Sequence, residues 1–103
     1  MAFGGYTNIK RADHGTLRGI QKEVACECWF TSSGKLMPLM IKVQDEEGQI
    51  QMIRPVIVHS QEHKMYAGIP SIEFDCTLTI LGRTVRAWLI YYQTRNRWVL
   101  NFR

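Results

Sequence analysis

Strict alternation of apolar and polar side chains over residues 72–81 is the feature that most constrains how this chain can fold. The apolar set is Ile72, Phe74, Cys76, Leu78 and Ile80, and the polar set between them is Glu73, Asp75, Thr77 and Thr79. A repeat of two residues is typical of a β-strand, in which successive side chains point to opposite faces. A helix repeats every ~3.6 residues and does not fit this pattern. The segment therefore predicts a strand with one buried face.

The residues that follow extend this strand into a three-stranded antiparallel meander. Apolar residues share one face of each of the next two segments: Val85, Ala87, Leu89 and Tyr91, then Trp98, Leu100 and Phe102. With residues 82–83 as a type II′ turn, Leu78 is expected opposite Ala87. With residues 95–96 as the second turn, Leu89 is expected opposite Phe102. In this register every apolar face meets another apolar face.

The first half of the chain predicts a second meander. Its apolar alternations are Val24, Cys26, Cys28 and Phe30, then Met37, Leu39, Ile41 and Val43. A turn at residues 33–34 is expected to place Cys26 opposite Ile41. After an acidic turn at residues 45–48, Ile50 and Met52 are expected opposite Val43 and Ile41. Pro38 lacks an amide hydrogen, so its strand is expected to be at an edge or to contain a bulge there.

Together the segments predict an all-β fold, a small antiparallel barrel or sandwich of six or seven strands built from two meanders. Residues 56–58 are expected to form the seventh strand and residues 59–70 a loop. Residues 1–22 are ambiguous, because Thr16 could cap one short N-terminal helix and the same residues could extend the first strand. At 103 residues, the chain is expected to form one domain, 1–103.

The composition predicts a cytoplasmic protein that does not enter a membrane. No segment approaches the ~18 consecutive apolar residues of a membrane helix, and the N-terminus lacks the pattern of a signal peptide. The three cysteines, Cys26, Cys28 and Cys76, are odd in number and poorly spaced for a disulfide framework. Buried thiols in a reducing compartment are the simpler interpretation.

No group of residues matches a catalytic, metal or cofactor signature. Cys26 and Cys28 are too close together for the usual zinc knuckle, although His59 and His63 have an acceptable spacing. No serine lies in a nucleophile elbow, and the glycines form no phosphate-binding loop. We therefore expect no enzyme activity, no metal and no cofactor.

Charge is distributed unevenly along the chain. Residues 54–103 carry seven basic and three acidic side chains, a net charge of +4, whereas residues 1–53 are neutral overall. The predicted outer face of the C-terminal meander combines arginines with aromatic and aliphatic residues: Arg86, Trp88, Ile90, Tyr92, Arg97, Val99 and Arg103. Such a face is too apolar to be left bare without a reason.

Three functional hypotheses follow from the sequence, the first two of them from this outer face. The first is a non-enzymatic interaction module that binds a second copy of itself, as a homo-oligomer, or another protein, since arginine and aromatic residues are enriched at interfaces. The second is binding of single-stranded nucleic acid, whose bases stack on rings while arginines follow the phosphates. The third is a small enzyme or ligand-binding barrel with its site in the barrel mouth. A structural alternative is that the first 22 residues cover the face.

Overall fold

The computed structural model describes Leu17 and residues 19–103 of the chain. It contains seven strands: β1 (Ile20–Phe30), β2 (Leu36–Gln44), β3 (Ile50–Ile53), β4 (Ile57–Tyr66), β5 (Ile69–Ile80), β6 (Arg83–Tyr92) and β7 (Arg97–Phe102). No helix occurs in this described part, and the predicted all-β fold is confirmed. Of the ambiguous segment 1–22, residues 20–22 extend β1, while the predicted helix cap at Thr16 lies outside the described residues.

All seven strands are antiparallel and belong to one sheet with the order β3-β2-β1-β7-β6-β5-β4. The two meanders, β1–β3 and β4–β7, are joined because β1 pairs with both. Its first half, Ile20–Val24, pairs with β7, and its second half, Ala25–Phe30, pairs with β2. The sheet curls into a half-barrel, and its two end strands, β3 and β4, do not pair with each other.

The hydrophobic core lies on the concave face of this half-barrel. Its most deeply buried side chains come from both meanders: Ile41, Phe74, Cys76, Leu78, Ala87, Leu89 and Leu100. The Phe74 ring stacks on Trp98 with ring centroids 5.9 Å apart, and Tyr91 lies 4.7 Å from Trp98. The apolar faces predicted for β5, β6 and β7 are therefore the faces that form the core.

The β5–β6 hairpin differs from the predicted register by two residues. Leu78 lies opposite Val85, and the two-residue turn is Leu81-Gly82, not residues 82–83. Both turn residues have positive φ, 50° and 77°, as a type I′ turn requires. The β6–β7 pair shows a shift of the same size, with Leu89 opposite Leu100. A shift of two residues preserves the side-chain faces, so the predicted core survives.

The β1–β2 pair follows the prediction only up to an irregularity near Pro38. Cys26 lies opposite Ile41 as expected. The register then shifts between Glu27 and Cys28, and Cys28 lies opposite Pro38. This shift is the bulge expected for a proline inside a strand.

Beyond this bulge the predicted two-residue turn at residues 33–34 is wrong. The loop spans residues 31–35, and Phe30 lies opposite Leu36. Phe30 and Met37 are both exposed instead of sharing the apolar face.

The predicted register of β3 is wrong by one residue. Ile41 lies opposite Ile53, and consequently Ile50 and Met52 are exposed while Ile53 is buried. The cause is the preceding loop, which has five residues, 45–49. The Asp45 carboxylate accepts hydrogen bonds from the backbone amides of Glu47 and Gln49, at 3.0 and 2.8 Å. Because alternate side chains of a strand point to opposite faces of the sheet, one extra loop residue exchanges the side chains of β3 that face the core with those that face solvent.

The predicted loop at residues 59–70 is also wrong. β4 continues from Ile57 to Tyr66 and pairs with β5 throughout, apart from a register shift between Val58 and Ser60. A two-residue turn, Ala67-Gly68, connects them, with φ of 49° and 79°. Because β4 is an end strand, much of it is exposed, which explains its polar sequence.

Candidate functional site

The arginines of the predicted outer face are paired with carboxylates of neighbouring strands. Arg86 binds Asp75 of β5 through both carboxylate oxygens, at 2.8 and 2.9 Å from Nη2. Arg97 Nη1 lies 3.2 Å from Glu23 Oε1 of β1. These pairs neutralise much of the positive charge that the C-terminal sequence predicts for this face.

Arg103 belongs to a buried polar network on the same face. Its guanidinium is bonded to the carboxylate of Glu73, and its Nη2 donates to the Tyr66 hydroxyl at 3.2 Å. Tyr66 in turn donates to Glu73 Oε2 at 2.5 Å, and Lys64 Nζ lies 3.9 Å from Glu73 Oε1. Burial, followed by the contact with Glu73, raises the pKa of Tyr66 above its ordinary value. The phenol therefore remains a hydrogen-bond donor to the carboxylate.

The aromatic and aliphatic members of this face are largely covered from within the chain. The Arg103 guanidinium carbon lies 4.6 Å above the Trp88 ring, the geometry of a cation–π contact. Ile90 is fully buried and packs with Leu17 and Tyr66. Val99 is buried and Trp88 and Tyr92 are half-buried, the latter against the same cluster. The structure thus brings the seven predicted residues together on one face, most of them already in contact with other parts of the chain.

His59 and His63, the two histidines with a spacing acceptable for zinc, lie on β4 and point to opposite sides of the sheet. His59 Nε2 is 2.6 Å from the Thr77 hydroxyl on the outer side. His63, opposite Ile72 in the register, lines a cavity on the concave side. Within the described part of the chain, no three side chains of His, Cys, Asp or Glu come together as a metal site would need.

The three thiols are free, and their environment makes them poor nucleophiles. Burial raises the pKa of Cys26 to about 12 and that of Cys76 to about 11, and it also raises the pKa of Cys28. Because the thiolate is the reactive form, we expect native protein at pH 8 to react slowly with Ellman's reagent. All three thiols should react quickly in urea. Rapid reaction of Cys76 before unfolding would contradict this prediction.

One feature was not foreseen from the sequence: a groove between β2 and β4, where the half-barrel does not close. The amide of Val56 donates to Leu39 O at 3.0 Å and holds the start of β4 against β2. One cavity of about 370 Å³ extends along this contact. It is bordered by residues of β2 and β4, by the residue that precedes each of these strands, and by one residue of β5: Lys35, Leu36, Met37, Pro38, Leu39, Val56, Val58, Gln61 and Phe74. We call this groove between β2 and β4 the seam.

The seam continues into a larger cavity at the end of the half-barrel where the β1–β2 loop lies. This second cavity, of about 660 Å³, shares Lys35, Leu36 and Gln61 with the first and adds His63 and Tyr91. Leu36 and Phe74 give the seam an apolar floor, and polar side chains stand at its rim. A peptide-sized apolar groove beside an end strand is therefore present on the concave side.

Comparison of the chain with known protein families, with curated proteins and with solved structures finds no match. Among the described residues, none lies in a helix with the length and apolar character needed to span a bilayer. The bulge at Pro38 is the one sequence signal near the seam, since it marks where β2 departs from regular pairing.

Proposed function

We propose that this protein is a non-enzymatic interaction module that accepts an extended segment of a partner protein in the seam. The observation that carries the proposal is the arrangement of β2 and β4 on either side of an apolar groove, with β4 at the end of the strand order. An end strand can pair with an added strand through main-chain hydrogen bonds, while pockets beside it select alternate side chains.

The shape of the seam favours a single extended segment as its occupant. Alternate side chains of an added strand would face Leu36, Val58 and Phe74, and the intervening ones would face solvent. The β4 strand of a second copy is already bonded to its own β5 along its length, so it would bring a whole sheet into the groove. A partner segment is therefore a better fit than self-association.

The outer face of the C-terminal meander is a weaker candidate for either of its predicted partners. Its arginines are engaged by Asp75, Glu23 and Glu73. Binding nucleic acid would require phosphates to displace these carboxylates, and the carboxylates would repel the phosphates. Ile90 and Val99 are covered within the chain and could contact a protein only after Leu17 moves. We infer a stabilising role for this face.

We also place the module in the cytoplasm. Three free thiols, with Cys76 fully buried in the core, suit a compartment in which cysteines stay reduced.

The proposal predicts that a charge placed in the seam abolishes peptide capture. The probe is a phage-displayed library of random linear peptides, panned against the immobilised protein. We expect enrichment of peptides with alternating apolar residues, and we expect Val58→Asp to weaken their binding at least about tenfold because the carboxylate would be desolvated. Ile57→Asp is the matched control, since Ile57 is exposed on the other face of the same strand. It should leave binding unchanged.

Four results would argue against the proposal. Equal losses in the Val58 and Ile57 variants, or no enrichment at all, would remove the seam as the binding site. A dimer in sedimentation equilibrium that Val58→Asp abolishes would make a second copy the occupant. Retention on single-stranded DNA that decreases with salt and is lost in Arg86→Ala would favour nucleic-acid binding at the outer face.

A further inference from the structure

A third cavity lies at the end of the half-barrel opposite the β1–β2 loop. It has a volume of about 440 Å³ and lies among the start of β1, the β2–β3 loop and the β5–β6 turn. Its apolar walls are Val43, Ile53, Ile80, Leu100 and Phe102. Ile53 and Leu100 are buried, so they form a floor of core residues. The size and apolar lining are typical of a small-molecule pocket.

Exposed apolar side chains stand at the rim of this cavity. Leu81 is 85% exposed at the tip of the β5–β6 turn and has a φ of 50°. Leucine is unfavourable there on two counts, because type I′ turns favour Asn or Gly and exposed turn tips favour polar residues. Met52 is also exposed and lines the same cavity. Because both the positive φ and the exposure are unfavourable for leucine, the presence of Leu81 here indicates that its side chain contacts a bound molecule.

One cation contributes to the cavity lining. Lys22 is half-buried, and no carboxylate among the described residues lies within ion-pair distance of its amine. Two acidic residues, Asp45 and Glu47, also border the cavity. Asp45 is occupied by hydrogen bonds from two backbone amides and from Gln51 Nε2, at 3.0 Å for the last. Glu47 is exposed. The hydrogen bond from Gln51 lowers the pKa of the Asp45 carboxyl, and Lys22 lies near enough for its charge to help lower it, but the two side chains make no direct ion pair. The Lys22 ammonium is therefore the cation that an anion bound in this cavity would contact.

We propose that this cavity binds a small amphipathic carboxylate with an unbranched apolar body. The body would lie on Ile53 and Leu100, where it displaces water from apolar surface. Leu81 and Met52 would close over it, and the carboxylate would accept a charge-assisted hydrogen bond from the Lys22 ammonium. This binding site is separate from the seam and does not depend on it.

The test uses sodium decanoate and its neutral counterpart 1-decanol, each below its aggregation limit, with backbone amide NMR shifts of the full chain as the readout. We expect saturable shifts at residues lining the cavity. Lys22→Gln should weaken decanoate binding about tenfold and leave decanol binding unchanged. Leu81→Asn, which suits the turn and should fold, is expected to weaken both. Lys42→Gln is the control, because Lys42 is exposed and does not line this cavity.

Absence of saturable shifts with both compounds would overturn the proposal. An equal loss of decanoate affinity in the Lys22 and Lys42 variants would also overturn it, because the head-group contact would then be nonspecific. Shifts confined to the seam would place the ligand elsewhere. The Val58→Asp variant should bind decanoate like the wild type, so a failure of the peptide experiment leaves this one interpretable.

Discussion

Replacing Phe74 with alanine is expected to lower the free energy of unfolding by about 3–5 kcal/mol, as for other buried phenylalanines. Phe74 is 0% exposed and stacks on Trp98 in the core. It also lines the seam, so its loss leaves a void next to a groove that is already open. Since domains of this size are stabilised by about 5–15 kcal/mol, the variant should be close to unfolding at room temperature. Urea denaturation followed by tryptophan fluorescence measures the change.

The control is Phe30→Ala, which removes the same ring from an exposed position. We expect a change within about 0.5 kcal/mol for this variant. If both substitutions cost the same, the concave face does not form the core and the half-barrel is wrong. Phe74→Leu should fall between them, because it retains most of the buried volume.

Replacing Glu73 with alanine is expected to cost about 3 kcal/mol of unfolding free energy. Its side chain is 5% exposed and receives both the Arg103 guanidinium and the Tyr66 hydroxyl. Removing the carboxylate takes away the counter-charge of a partly buried cation and the hydrogen bond that the Tyr66 hydroxyl donates to it. Lys64 would lose one of its two carboxylate neighbours. Urea denaturation is again the measurement.

Glu62→Ala is the matched control, because Glu62 lies opposite Glu73 in the register and approaches the same lysine, at 3.7 Å. Its side chain is 69% exposed, so we expect a loss of no more than about 0.5 kcal/mol. A double-mutant cycle with Arg103→Ala should show coupling of at least about 1 kcal/mol. Additive losses would mean that the buried pair contributes nothing beyond its separate parts.

The period-two pattern predicted the fold because it tolerates some errors of register. In the β5–β6 hairpin the turn begins one residue earlier than predicted, and each pairing moves by two. Phe74 and Leu89 nevertheless remain on the core side, since an even shift never exchanges faces. The pattern therefore fixes which face is buried more securely than it fixes which residues pair.

The predictions for the register of β3 and for a loop at residues 59–70 failed for different reasons. The first failed because of local contacts in a loop, and the second because β4 lies at the edge of the sheet. The register of β3 depends on the side chain of Asp45, whose hydrogen bonds shape a five-residue loop. The sequence predicted only the start of β4, in the strand expected at residues 56–58, and missed the rest because those residues are mostly polar. A strand at the edge of a sheet buries little of its surface and needs few apolar residues, so its composition resembles that of a loop.

The sequence predicted which residues share the outer face, but it predicted neither their ion pairs nor the seam. Alternation placed Arg86, Trp88 and Tyr92 together, as the structure does. It could not show that Glu23 would arrive from β1 to pair with Arg97, a contact between residues 74 positions apart. The seam was likewise out of reach, because it results from the failure of β3 and β4 to pair across the curled sheet.

The pairing of β1 with β7 has a consequence for biosynthesis. The hydrogen bond from Asn101 Nδ2 to Ile20 O connects residues 81 positions apart, so β1 leaves the ribosome long before its neighbour exists. Until β7 is translated, half of β1 is an uncovered edge that could pair with another nascent chain. Folding dominated by such distant contacts is slow. We therefore expect protection by ribosome-associated chaperones to improve the yield of native protein.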